Sequence, residues 1–273
     1  LLKCFELWGI NLTLDKIDGM YAIGLWDNLN KKLFLIKDSF GEKPLYYYYN
    51  KNKFFFSSDL SAFKKLKVDL TLNTKAINLF FKYNYIPAPY TIYNECKKII
   101  PGTYKIINDK LNVSYNISYL KKTEKNYKIN NNSLEENKEI LKGLLNNSVK
   151  NRMLSDANIG SFLSSGVDSS LVTSIMVDNS SDKIESFSIG FENSDYDESL
   201  DAKKISKYLG TQHNELILSS KDIINFIPKI NTIFSEPFAD SSQIPTYFVS
   251  KFCSNKIKVA LTGDGADELF GGY

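Results

Sequence analysis

From Ile159 onward, short apolar runs alternate with stretches whose apolar residues recur every three or four positions. Ile159–Leu163, Ile184–Ile189, Glu215–Leu218 and Ile257–Leu261 read as strands. Between them, Ser169–Val177, Glu198–Leu209, Ile223–Phe234 and Thr246–Phe252 carry helical spacing, with Leu171, Val172, Ile175 and Met176 on one face of the first. Strand-helix alternation of this kind predicts a parallel sheet with right-handed crossovers. Ahead of it, Ser133-Leu134-Glu135-Glu136 is a capping box, followed by Ile140, Leu141, Leu144, Leu145 and Val149 at helical spacing.

The front of the chain has a different period. Met20–Asp27, Lys32–Asp38, the run Pro44–Asn50 and the run Lys53–Asp59 are short, aromatic and β-branched. They are separated by turn chemistry at Asp27-Asn28, Gly41 and Asn50-Lys51-Asn52. These runs predict antiparallel strands, with a hairpin around Lys51. The aromatic run Tyr46–Tyr49 reads as a strand packed on both faces in preference to a ligand-stacking platform. Between the halves, residues 121–132 are polar and charged without periodicity, which is linker character. The expectation is therefore α+β over residues 1–120, a linker over 121–132, and doubly wound α/β over 133–273. No internal repeat is apparent.

Composition narrows the function classes. The 273 residues carry 34 basic and 31 acidic side chains, a net charge of +3, and Arg152 is the sole arginine. Lysine lacks the bidentate fork of arginine, so neither the balance nor the residue type asks for nucleic acid or an anionic membrane. No apolar run approaches the ~18 residues of a membrane span. Cys4, Cys96 and Cys253 are odd in number and form no CxxC pair, which fits a reducing compartment, the cytoplasm, better than a disulfide scaffold or zinc site. The single histidine, His213, excludes a histidine-rich metal cluster.

The strongest chemical signal is Phe162–Ser170, FLSSGVDSS. A strand runs into a turn of small residues, and a helix opens at Asp168. Successive N–H groups in such a turn make a nest for phosphate oxygens, and the helix start adds its positive end. No Gly-Lys-Ser/Thr ending is present, so this is not a Walker loop. An acid beside phosphate calls for a bridging divalent cation, hence Mg²⁺ at Asp168. The competing reading is an Asp capping an ordinary helix. Leu261–Tyr273, LTGDGADELFGGY, repeats the logic with Asp264, Asp267 and Glu268 at a second strand-to-helix turn. Two such turns in one parallel sheet favour a shared metal-nucleotide site.

These residues resemble the glutamine-dependent asparagine synthetase family. The loop resembles its pyrophosphatase-type Ser-Gly/Ser-Gly-x-Asp-Ser. Ser186–Phe191, Tyr196–Ser199, Leu209–Glu215 and Ser235–Tyr247 resemble family blocks, and Asp18–Asp27 and Lys37–Tyr47 resemble the end of its glutaminase domain. The resemblance implies the C-terminal part of an N-terminal-nucleophile glutaminase followed by an ATP-pyrophosphatase domain. It implies adenylation of the aspartate side chain, release of pyrophosphate, and amidation by glutamine-derived ammonia, with ATP as co-substrate and Mg²⁺. Leu163 and Ile189 would flank adenosine, with Thr262 and Gly263 contacting it through backbone. Ser164, Ser165, Gly166 and Ser169 would hold phosphates, and Asp168 and Asp267 would serve the metal. Asp264 stands where family members carry a glutamate assigned to forming the acyl-adenylate and handling the ammonia proton. Asp240, Ser241 and Ser242 would lie near substrate, and His213 would be structural.

By the same resemblance, partners are small molecules, and a homodimer is the assembly it allows. The chain starts at Leu1 without methionine and stops after a glycine turn, so the expectation is an internal piece whose glutaminase nucleophile and glutamine-binding residues precede Leu1. That piece alone would lack glutaminase activity. The adenylating loop leaves two alternatives open: the same chemistry on another carboxylate, as in β-lactam-synthetase-like or sugar-modifying amidotransferases, and a catalytically dead nucleotide-binding relative.

Overall fold

The computed structural model describes residues 1–50, 52–120, 132–192 and 197–272. Lys51 of the hairpin turn, Lys121–Asn131 of the expected linker, Tyr196 of the Tyr196–Ser199 block and Tyr273 lie outside the described residues. Two compact units form: Leu1–Tyr127 with Ile230–Asp240, and Lys128–Lys229 with Ser241–Tyr273.

The first unit contains helix α1 (Leu2–Lys16), strands β1 (Ala22–Asp27), β2 (Lys32–Lys37), β3 (Tyr46–Asn50) and β4 (Lys53–Ser57), and helices α2 (Ser61–Lys65) and α3 (Thr74–Tyr83). Strands β5 (Cys96–Lys98), β6 (Thr103–Asn108) and β7 (Ile117–Ser118) follow. The strands build two antiparallel sheets, ordered β1-β2-β6-β7 and β4-β3-β5. Successive side chains of a strand point to opposite faces, and both sheets bury both faces. Leu35 of β2 joins Leu45, Tyr47, Ile99 and Ile107 in one core, while its neighbour Ile36 joins Phe5 and Leu14 of α1 with Tyr104 in another. On β3 the same split sends Tyr47 to the first of these cores and Tyr48 to a third, with Leu60, Phe63 and Cys96. The tyrosine run is a two-faced strand, as its sequence suggests. Across the hairpin, Tyr47 stacks on Phe54 at 5.7 Å between centroids, and Asn50 Oδ1 closes the turn by accepting from the Asn52 and Lys53 N–H groups at 3.1 and 3.0 Å. After β2, the buried Asp38 carboxylate accepts from the Gly41, Glu42 and Lys43 N–H groups at 2.6–3.0 Å.

In the second unit α4 (Leu134–Arg152) opens on the capping box expected at Ser133, with both reciprocal bonds to Glu136 present. Then come β8 (Ile159–Phe162), α5 (Val167–Asp178), β9 (Glu185–Phe191), α6 (Ser199–Leu209), β10 (Gln212–Leu218) and α7 (Ser220–Phe226). Helix α8 (Ile230–Ile233) belongs with the first unit; α9 (Gln243–Cys253), β11 (Val259–Leu261) and α10 (Ala266–Phe270) return to the second. All pairings in the sheet are parallel and the order is β10-β9-β8-β11. Val149 of α4 and Met176 of α5 cover one face with Ile184 and Leu261, while Val249 and Cys253 of α9 cover the other with Phe187 and Ile257. The helical pattern at 223–234 is not one helix. Pro228 has no N–H to continue the ladder, so α7 ends at Phe226, a 3-10 turn spans Ile227–Lys229, and α8 follows.

Residues 230–240 are fastened within the first unit by Glu236. Its Oε1 accepts from the Ile92 N–H at 2.8 Å, and its Oε2 pairs with Lys98 Nζ at 2.6 Å. Lys98 also donates to the Ile86 carbonyl at 2.6 Å, and the Ala239 N–H donates to the Asn84 carbonyl at 2.7 Å. The Glu236 and Lys98 side chains are 11% and 17% exposed. Burial, with Glu236 nearby, pushes the Tyr46 hydroxyl up to about 12. Removing one member of a buried pair strands the other. Glu236→Gln is therefore expected to cost about 2–4 kcal/mol, read as a lowered urea midpoint for the first unit.

Candidate functional site

The site is built where β8 and β11 end. After Leu163, whose N–H still bonds the Phe187 carbonyl at 2.9 Å, the chain turns through Ser164 and Ser165 into α5. The N-cap is Gly166, which makes no side-chain capping bond, so Asp168 sits in the first turn and is not the cap. The first N–H groups of a helix have no intrahelical partner, and its N-terminus carries the positive end of the dipole. The turn is held from inside: Ser169 Oγ accepts from the Ser164 N–H at 3.2 Å and bonds Ser164 Oγ at 2.9 Å, and Ser164 Oγ accepts from the Gly166 N–H at 3.1 Å. Behind it, Thr173 Oγ1 donates to the Ser169 carbonyl at 2.7 Å.

The second turn, Thr262–Gly265, is tied by Thr262 Oγ1, which donates to Asp264 Oδ2 at 2.9 Å and accepts from the Asp264 N–H at 3.3 Å. Gly265 then takes a left-handed φ of 92° to enter α10. The two turns touch at Gly263. A Cβ placed there would stand 2.8 Å from the Ser169 nitrogen and 2.9 Å from Asp168 Cβ. Only glycine lets the backbones approach this closely. Because β8 has β9 on one side and β11 on the other, chain order reverses at this point, and the crevice outside the carboxyl ends is where such sheets bind ligands.

A cavity of about 470 Å³ opens there. Of the residues singled out in the sequence, Leu163, Ser164, Ser169, Ile189, Ser242, Thr262, Gly263 and Asp264 line it. Ser165, Gly166 and Asp168 belong to the same turn and first helical turn without forming the wall, and Asp267 lies in the first turn of α10. Ser241 is off the wall, and Asp240 groups with the first unit. The wall also holds residues the sequence reading passed over. Pro245, Thr246 and Val249 continue from Ser242 along one face of α9, with the i, i+3, i+4, i+7 spacing that could have flagged them. Phe187, Ser188 and Phe191 come from β9, and Glu198 precedes α6. The result is an apolar chamber (Leu163, Phe187, Ile189, Val249) with a hydroxyl- and carboxylate-bearing mouth (Ser164, Ser169, Thr262, Asp264). That division suits a flat aromatic base joined to an anionic tail.

His213 on β10 lies between two hydroxyls of β9, with Nδ1 2.9 Å from Ser186 Oγ and Nε2 3.2 Å from Ser188 Oγ. Burial depresses its pKa. Through Ser188, which lines the cavity, the histidine is tied to the cavity wall. Among the described residues no three His, Cys, Asp or Glu side chains converge on a metal-sized point. All three cysteines are free, and burial pushes the Cys96 thiol up to about 12. No helix among the described residues is long and apolar enough to cross a membrane.

Family comparison matches residues 141–273 to asparagine synthase and residues 1–119 to a glutamine amidotransferase domain, leaving only 120–140 outside both. The chain carries a glutamine amidotransferase domain followed by an asparagine synthase domain. Asparagine synthetase [glutamine-hydrolyzing] 1 of Bacillus subtilis is 33% identical over 259 residues, covering 95% of this chain and 40% of the relative. A Methanocaldococcus jannaschii protein with the provisional name asparagine synthetase [glutamine-hydrolyzing] 2 is 36% identical over 278 residues, covering 100% and 53%. The Homo sapiens asparagine synthetase is 27% identical, covering 100% and 49%. The chain thus spans about half the length of these asparagine synthetases. Among solved structures, an NH3-dependent NAD synthetase from Campylobacter jejuni aligns over 50% of this chain and 60% of its own at 14% identity, with a TM-score of 0.37.

Two outcomes follow from the geometry. Gly263→Ala must push the two turns apart, at about 1–3 kcal/mol, seen as a lowered melting temperature. A histidine whose folded pKa is depressed binds fewer protons than its unfolded form, so stability falls as pH drops from about 6.5. His213→Asn is expected to flatten that slope in urea titrations taken between pH 7 and 5.

Proposed function

We propose that the protein synthesises asparagine from aspartate, ATP and glutamine. The observation that carries this reading is the apolar chamber opening onto a hydroxyl-lined turn at a helix N-terminus, with Asp264 on the rim. We assign residues 1–120 to the ammonia-generating part and 133–273 to the synthetase, joined through 121–132. The base of ATP enters between Leu163 and Ile189, with Thr262 and Gly263 alongside. Ser164, Ser165, Gly166 and Ser169 take the β- and γ-phosphates, whose charge grows as pyrophosphate departs.

The aspartate side-chain carboxylate attacks the α-phosphorus, forming a P–O bond as the bond to the bridging oxygen of pyrophosphate breaks. Ammonia from glutamine hydrolysis then adds to the acyl carbon, and loss of a proton and of AMP leaves asparagine. Asp264, held by Thr262 Oγ1 at 2.9 Å, is the assigned proton acceptor. Ser242 on the wall, with Asp240 and Ser241 before it in sequence, marks the aspartate end. Asp168 and Asp267 are assigned to Mg²⁺. A site with two carboxylates fits this ion, which ordinarily takes one or two from the protein and the rest of its ligands from phosphates and water. When bound, the ion supplies charge neutralisation of the triphosphate. Three free thiols, of which Cys96 and Cys253 are buried, support a reducing, cytoplasmic setting.

The test is pyrophosphate release by the full-length protein. Release is expected to require aspartate and to match AMP and asparagine one for one. Asp168→Asn and Asp264→Asn are expected to lower kcat by roughly 10²–10³. Release driven by another carboxylate, or none with any, would overturn the assignment.

A further inference from the structure

The phosphate-binding turn already holds an anion. Glu198 Oε2 accepts from Ser165 Oγ–H at 2.6 Å and from the Ser165 N–H at 3.3 Å. One carboxylate oxygen taking a backbone N–H and a hydroxyl is the contact that a nest offers to a phosphate oxygen. The neighbouring donors are satisfied differently: the N–H groups of Ser164 and Gly166 go to neutral serine hydroxyls. Glu198 also lines the cavity assigned to the nucleotide.

The backbone carrying Glu198 is fixed. Asp197 Oδ1 accepts from the Ser199 N–H at 3.1 Å and the Phe191 N–H at 3.3 Å, and its Oδ2 accepts from Ser199 Oγ at 3.1 Å. Those bonds, the Ser199 N–H foremost, hold the Asp197 carboxyl below its usual range. Ser199 itself is buried. The Glu198 side chain, by contrast, is exposed, so its bonds to Ser165 compete with water and are weak. A fixed base and a loosely held carboxylate make a contact that a more highly charged ligand displaces.

Resting on the ATP reading above, we propose that Glu198 is a built-in substitute for a phosphate oxygen. It keeps Ser165 in its binding conformation while the turn is empty and yields Ser165 to the polyphosphate of ATP. The same contact re-forms as pyrophosphate leaves, which makes Glu198 a competitor for the leaving group. It acts through Ser165 and is a positioning residue. The consequence has a sign opposite to that of a direct ligand: removing the charge strengthens polyphosphate binding.

The experiment titrates the full-length protein and its Glu198→Gln variant with ATP, with inorganic pyrophosphate and with AMP, each with and without Mg²⁺. The expected result is ATP and pyrophosphate binding tightened by roughly three- to fivefold, the range for one exposed charge-assisted contact, and AMP binding unchanged. In a Ser165→Ala background the gain from Glu198→Gln is expected to shrink toward none. Glu198→Ala supplies a second uncharged variant and is expected to tighten pyrophosphate binding as well. Unchanged or weakened ATP and pyrophosphate binding in both variants, with the wild type binding normally, would overturn this proposal alone. Weakening confined to titrations containing Mg²⁺ would instead make Glu198 a metal ligand and overturn it too. Absence of ATP binding in the wild type would overturn the nucleotide reading, and this proposal with it.

Discussion

The second unit is organised around one close approach, the backbone contact at Gly263 between the turn after β11 and the start of α5. A parallel sheet puts the carboxyl ends of its strands on one edge, and the reversal of chain order at β8 leaves a crevice between the two turns. Closing that crevice to van der Waals distance requires a residue without a Cβ. Once closed, it sets Thr262 and Asp264 beside Ser164 and Ser169 on one wall. Every polar group offered to a ligand here depends on that spacing, because hydrogen-bonding geometry tolerates only tenths of an ångström. The internal serine bonds then hold the turn in a single shape.

The first unit solves a different problem. Its two antiparallel sheets each bury both faces, so neighbouring residues such as Leu35 and Ile36, or Tyr47 and Tyr48, are committed to separate cores. A one-residue slip would exchange them. Into this unit the chain also delivers residues 230–240, held through Glu236 and Lys98. That segment falls within the stretch matched to asparagine synthase, yet its hydrogen bonds lie in the unit that carries the glutamine amidotransferase match. The two sequence families and the two compact units therefore do not share a boundary along the chain.

Much of this was legible from local chemistry. Short aromatic runs on either side of Asn50–Asn52 gave the hairpin, the Ser133–Glu136 box gave the start of α4, and small residues before Asp168 gave a turn at a helix start. Each is decided within about four residues, the range over which backbone propensity and capping act. The reading went astray where a pattern outran its range. Helical periodicity across 223–234 ignored Pro228, whose missing N–H splits the stretch. It also passed over all but Ser242 of the cavity face at α9, because an i, i+3, i+4, i+7 stripe reads equally well as core packing, and Pro245, Thr246 and Val249 joined Ser242 as a wall only when β9 was set opposite.

Glu198 marks the limit most sharply. In sequence it is one acid of the Tyr196–Ser199 block, 33 residues beyond Ser165, with nothing local to tie it to that serine. Only the parallel pairing of β8 with β9 brings the end of β9, and Glu198 beyond it, to the turn at Ser165. The sequence by itself determined the elements, the two classes of sheet and the residue types that can meet phosphate, because these follow from periodicity and short-range hydrogen bonding. Tertiary structure alone decided which of those residues share a wall, that Gly263 must be bare, and that an acid already occupies the donors of Ser165. Those are outcomes of strand order, a long-range property that no local window of the chain contains.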